Sequence, residues 1–135
     1  MSTPDTVDAT IGYLLATGTV TALTSTRIWP SETPANDAAN MPRACVVVRW
    51  AGSWPGQSEG PLQMPAIDVV CYGVTPKEAR SVYLVVHAAL RALKRRTYAS
   101  ALLHAARLTG GPVEGREPDT HWPMVWSSWT ILASE

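Results

Sequence analysis

The chain has no phenylalanine, only two cysteines and no net charge, since 11 basic residues balance 11 acidic ones. Cys45 and Cys71 cannot make a disulfide framework or a zinc site: there is no CxxC, and the three histidines fall at no metal-ligand spacing. Both sit in apolar runs and read as small buried strand residues of a reducing compartment. A free DNA- or RNA-binding module carries a basic excess, so the neutral balance argues against nucleic acid as the main partner. No window approaches the roughly 20 apolar residues of a membrane span. Met1 to Asp8 is polar and lacks the basic start of a signal peptide, so synthesis and folding in a cytoplasm are expected. Also missing are a GxSxG elbow, a Gly-rich phosphate loop and HExxH, and no cofactor or metal is expected.

What is present is a globular balance: 135 residues, 46% hydrophobic and 16% charged, suited to one domain over 1–135 with a real core. A lightly charged, neutral surface favours association with other protein surfaces. Near the start, Thr3 can cap a helix with Pro4 at its first position; Val7, Ile11, Leu14 and Leu15 fall on one face and Gly18 is a plausible stop. Val20 to Leu23 can add a turn. Arg27 to Trp29 reads as a short strand ended by Pro30, and Ser31 to Pro42 as a loop.

Ala44 to Trp50 and Ala66 to Gly73 are dense in β-branched residues and read as strands. The Gly/Pro-rich stretch between them makes a long hairpin, with its tip around Gly56 to Gly60. Alternation puts Val46, Val48 and Trp50 on one face, as it does Ile67, Val69 and Cys71. Arg49 and Asp68 lie on the opposite faces, where they can pair. The strongest helix signal begins at Thr75, where Thr75 and Glu78 form a capping box around Pro76. Ala79, Val82, Tyr83, Val86, Leu90 and Leu93 keep the helical period, and Lys94, Arg95 and Arg96 suit the negative helix end. Ala101 to Gly111 reads as strand or helix, with a strand ending near Thr109 preferred and a turn-rich loop from Gly110 to Pro112. Pro123 to Ala133 alternates as a closing strand. Together these make an α+β fold: an antiparallel sheet of four or five strands with a long protruding hairpin, covered by two helices.

Candidate chemistry is sparse. Glu117, Asp119, Thr120 and His121 gather an acid pair, a hydroxyl and an imidazole, and a small hydrolase would use His121 with Asp119. The other reading is a polar turn in which Pro118 presets the geometry and the Asp119 side chain bonds local backbone. Two residues apart in a loop, the pair has no fixed mutual orientation, and the turn is preferred; no catalytic residue is assigned. His87 and His104 have no recognisable partner. Arg91, Lys94, Arg95 and Arg96 read either as a phosphate patch or as a solvated helix end. Of six tryptophans, Trp29, Trp50, Trp126 and Trp129 lie in or beside strands, where core packing is expected. Trp54 lies in the hairpin, where core packing and an interface role are both open.

Taken in order, these signals resemble the tail terminator (tail completion) proteins of long-tailed bacteriophages. The "RIWP" step from Arg27 to Pro30, the strand-to-helix step from Asp68 to Ala79, and "EPDT" from Glu117 before the closing strand carry the resemblance. It spans most of the chain and is least matched over Ser31–Ala39 and Thr97–Ala106. The resemblance implies a non-enzymatic virion part: a hexameric ring on the head-proximal end of the tail tube. Such a ring stops tube polymerisation, joins the neck and lets DNA pass through its lumen. Its expected partners are copies of itself, the tail-tube protein and a neck or head–tail connector protein, with no membrane. Candidate interface residues are Trp54, Pro55, Gln57 and Glu59 in the hairpin, Arg49 beside it, and Arg80 and Arg91 on the long helix. A neck or head–tail adaptor ring is the nearest alternative; the hydrolase and a nucleic-acid module stand further off.

Overall fold

A computed structural model describes residues 5–34, 38–53, 62–98 and 101–134. Asp5, not Thr3, caps the first helix, α1 (Thr6–Leu15), its carboxylate accepting from the Asp8 amide at 3.0 Å. Thr3 and Pro4 lie outside the described residues. Gly18 does not stop a helix but opens a second one, α2 (Gly18–Thr24), after α1 ends at Leu15. The long helix, α3 (Pro76–Arg91), starts where its capping box requires: Thr75 Oγ1 accepts from the Glu78 amide at 3.2 Å, and Glu78 Oε1 from the Val74 amide at 3.0 Å. It ends at Arg91, short of Lys94–Arg96, because Leu93 turns into the core and Arg96 begins a strand. There are therefore three helices among the described residues, where two were expected.

Among the described residues seven strands form one sheet: β1 (Ile28–Pro30), β2 (Cys45–Ser53), β3 (Leu62–Gln63), β4 (Pro65–Tyr72), β5 (Arg96–Tyr98), β6 (Ala101–Arg116) and β7 (Pro123–Ser134). Their order is β1-β2-β4-β7-β6-β5, and β3 carries the pairing of β4 onward along β7. The sheet exceeds the expected four or five strands, and it is not wholly antiparallel, since β1 runs parallel to β2. Parallel neighbours need a connection of a dozen or so residues, and the stretch from Ser31 to Ala44 provides one. β2 and β4 pair from Cys45↔Tyr72 to Ser53↔Pro65, as the hairpin reading requires; its tip at Gly56 to Gly60 lies outside the described residues. The expected loop at Gly110 to Pro112 is instead a bulge inside β6. Partners jump there from Gly110↔Ser128 to Val113↔Trp126, and Gly111 takes a φ of 78° that suits glycine.

The helices cover one face of the sheet. Against them pack Val46, Val48, Ile67, Val69, Cys71, Val125, Trp129 and Ile131, with Val82, Val86 and Leu90 from α3. Ser127 is buried in this layer because it is satisfied: Trp129 Nε1 donates to its Oγ at 3.0 Å, and that hydroxyl donates to the Val69 carbonyl at 3.3 Å. At Gly73, where β4 turns towards α3, a Cβ would overlap the backbone of Glu78 and Ala79, so only glycine fits. The opposite face has a smaller cluster of Cys45, Val47, Val70 and Tyr72, flanked by half-buried Trp29, Met41, Trp122, Met124 and Trp126. Trp50 does not join the core as expected. It is 67% exposed, at the place where β2 slips register before it leads into the hairpin tip.

Candidate functional site

The acid and imidazole at Asp119 and His121 sit in the exposed turn between β6 and β7. The turn is closed by backbone, with the Glu117 amide donating to Trp122 O at 3.0 Å and the His121 amide to Glu117 O at 2.8 Å. The local side-chain contact comes from Thr120, whose Oγ1 accepts from the Trp122 amide at 3.4 Å, and not from Asp119 as expected. His121 holds a left-handed backbone (φ 59°), and its carbonyl accepts from Arg116 Nη1 at 3.0 Å. Among the described residues no hydrogen bond joins Asp119 to His121, so no carboxylate orients the ring for proton transfer. Nor does any group of three or more His, Cys, Asp or Glu among them come close enough to hold a metal ion.

The candidate interface residues separate. Trp54, Pro55, Gln57 and Glu59 lie outside the described residues. Arg49 stands on the face away from the helices. It is directly opposite Asp68, as expected, but the two make no ion pair. Arg49 Nε donates to Ser31 O at 2.9 Å, and Asp68 accepts from Ser128 Oγ at 2.9 Å. Arg80 and Arg91 belong to the other face, along a groove between α3 and β6. Arg80 Nε meets Glu114 Oε1 at 3.0 Å beside a depression of about 280 Å³ lined by Tyr83, Leu84, Pro112 and Val125. One end further on, Arg91 borders a depression of about 330 Å³ with His87, Arg107, Leu108 and Trp129.

Some groups gained partners that sequence alone could not assign. His87 Nδ1 lies 2.9 Å from the Tyr83 hydroxyl, and its ring packs edge-on against Trp129. His104 Nε2 lies 3.0 Å from Ser134 Oγ across the β6–β7 pair. Tyr72 packs edge-on to Trp122; burial, reinforced by the Glu117 carboxylate, pushes its hydroxyl up to about 12, with the Arg49 guanidinium pulling the other way. Glu117 Oε2 is buried with no hydrogen-bond partner among the described residues. The one signal for this cluster in the sequence was the even-numbered face of β7, Met124 and Trp126, which is too apolar for a solvated face. Among the described residues no helix is long and apolar enough to cross a membrane.

No protein-family model matches the chain, and no curated protein matches it. Among solved structures it is similar to a chain of the virion of a native gene transfer agent (GTA) particle, with a TM-score of 0.63 at 13% identity. The likeness covers 94% of this chain and 92% of that one, so the two share an α+β architecture over nearly their whole length.

Proposed function

We propose that this chain is a structural protein of a phage-like virion: a tail terminator that forms a ring on the head-proximal end of the tail tube. The observation that carries this reading is the near full-length fold likeness to a chain of a gene transfer agent virion. The ordered sequence signals, "RIWP" at Arg27, the capped strand-to-helix step at Thr75 and "EPDT" at Glu117, support the finer assignment. In this role the protein performs no catalysis. It stops tube polymerisation, joins the tail to a neck or head–tail connector protein, and lets DNA pass through a ring of six copies.

Contacts that close a ring need two unlike patches on each subunit. The hairpin residues Trp54, Pro55, Gln57 and Glu59, with Arg49 at its base, form one; the α3 flank bearing Arg80 and Arg91 forms the other. Negative-stain imaging of the purified protein, alone and mixed with tail tubes, tests the reading: rings seated on tube ends are expected. Trp54→Ala with Glu59→Ala should abolish ring formation or capping. Unchanged rings and caps in that double variant would remove the hairpin from the interface. A pull-down that retains the portal side and not tail-tube protein would reassign the chain as a neck adaptor.

A further inference from the structure

Over most of its length β6, the longest strand among the described residues, is paired on one side only. β5 covers β6 at Ala101, Leu102 and Leu103; from His104 to Arg116 β6 has β7 on one side and, among the described residues, no strand on the other. Every second residue of such an edge turns an unpaired amide and carbonyl outward, which is a template for a further strand. Proteins blunt such edges with bulges, proline and charge, and most of this one is blunted: register slips at Leu103/Ala105, Leu108/Gly110 and Gly110/Val113, and Pro112 has no N–H to offer. The run from Ala105 to Leu108 is different, because it keeps an unbroken register against Leu132 to Trp129.

Both faces of the sheet are hollowed beside this run. Towards the helices lies the depression of about 330 Å³ lined by Leu108, Trp129, His87 and Arg91. On the opposite face Ala105, Arg107, Thr109, Met64, Thr130 and Leu132 line another of about 310 Å³. A strand laid along an edge sends alternate side chains to the two faces, so these hollows stand where its side chains would fall. An edge meant only to repel strands needs the charge of Arg107 but not two such hollows.

Charge then selects the occupant. From Arg91 to Val113 the sequence has five basic residues (Arg91, Lys94, Arg95, Arg96 and Arg107) and no acid. Arg91 and Arg107 are exposed, and among the described residues neither has a hydrogen bond or ion pair to a side chain. Two such edges brought together would set arginine against arginine, which opposes pairing between copies through β6. We propose that the free edge of β6, from Ala105 to Thr109, accepts an added β-strand from an extended, carboxylate-bearing segment of a partner polypeptide. Backbone hydrogen bonds supply the attachment, and apolar side chains seated in the two hollows, with carboxylates reaching Arg91 and Arg107, supply the selectivity.

Hydrogen exchange on the full chain tests this with three probes: a synthetic nonapeptide repeating Val-Val-Glu-Glu, which sets valine and glutamate on both faces of a strand, the same peptide with lysine for glutamate, and a short DNA duplex. The expected result is slowed exchange of alternate amides between Ala105 and Thr109 with the glutamate peptide alone. Arg107→Glu should weaken that peptide by about tenfold and improve the lysine peptide. Arg91→Glu, on a different element, should act in the same direction, with far-ultraviolet circular dichroism showing both variants folded. Four results would overturn the proposal: no protection, equal protection by the lysine peptide, protection by DNA in place of peptide, or amides already protected in a β6-paired dimer of the protein alone. The edge stands apart from the ring assignment: loss of tube capping with peptide binding intact, or the reverse, tells the two failures apart.

Discussion

β7 shows the two faces of the sheet side by side. Its odd-numbered residues, Val125, Ser127, Trp129, Ile131 and Ala133, are all buried beneath helices, whereas its even-numbered residues from Met124 to Leu132 are half-buried. One strand thus holds a finished core face and a face that is only partly covered. On the covered face even a serine is sealed in a hydrogen-bond relay. On the other, three tryptophans and two methionines flanking one small cluster are only half-buried. The difference teaches where stability and where association reside. A face already filled by helices holds the fold, and the surfaces left over are the ones available to partners.

Replacing the same residue type on the two sides of one strand is the sharpest way to break this comparison. Trp129→Ala should destabilise by about 3–5 kcal/mol, as an aromatic removed from a packed core does, because Trp129 is fully buried. Trp126→Ala, on the half-buried face, should lose only about 1–2 kcal/mol by the area it removes from water. Urea unfolding of the two variants measures both, and equal losses would erase the distinction between the faces. Next in size is Ser127→Ala, which leaves the buried Trp129 Nε1 without its acceptor. A loss of about 1–3 kcal/mol is expected from the orphaned donor, and Ser127→Thr, which keeps the hydroxyl, should lose less if the methyl is accommodated.

The open face carries its own pH signature. The Tyr72 hydroxyl is raised from its ordinary 10.0 to about 12, so the fold favours the neutral phenol over the phenolate. That contribution is fully present below about pH 10 and is lost as pH rises towards about 12. Thermal melts across this window should show Tyr72→Phe with a shallower alkaline decline than the wild type. Tyr13 and Tyr83, whose hydroxyls are also raised by burial, should keep part of the slope. The smallest effect expected is that of Arg80→Ala. Its ion pair with Glu114 is about half exposed on both sides, and solvent screening leaves such pairs at roughly 0–0.5 kcal/mol. A larger loss in a double-mutant cycle with Glu114→Ala would mean that the groove between α3 and β6 is more rigid than its exposure implies.

Much of the fold was legible residue by residue. The capping box at Thr75, the period of α3, the two β-branched strands and the alternation of β7 all appear as read. The misreadings share one cause. Gly18, and Gly110 with Pro112, are local punctuation, and tertiary pairing overrode them: one opens a helix, the others lie within a bulge held by β7. Lys94 to Arg96 suited a helix end electrostatically, yet burial of Leu93 and pairing of β5 with β6 ended the helix sooner. At the candidate site, sequence could name Arg80 and Arg91 as a mixed-charge helix flank but could not supply the β6 residues across the groove. Those come from 15 or more positions further along the chain.

By itself, the sequence determined the long helix from its cap and period, and the two β-branched strands and the closing strand from their alternation, because these signals act within a few residues. It also favoured a turn over an acid/base pair at Asp119 and His121, since their spacing gives them no shared orientation, and the structure places both in a turn closed by backbone. Only the tertiary structure decided the strand order, the parallel placement of β1, the exposure of Trp50 and the long unpaired edge of β6. Each of these depends on which distant segments compete for the same backbone hydrogen bonds and the same apolar face. That competition is settled by packing across the whole chain and leaves no local mark in the sequence.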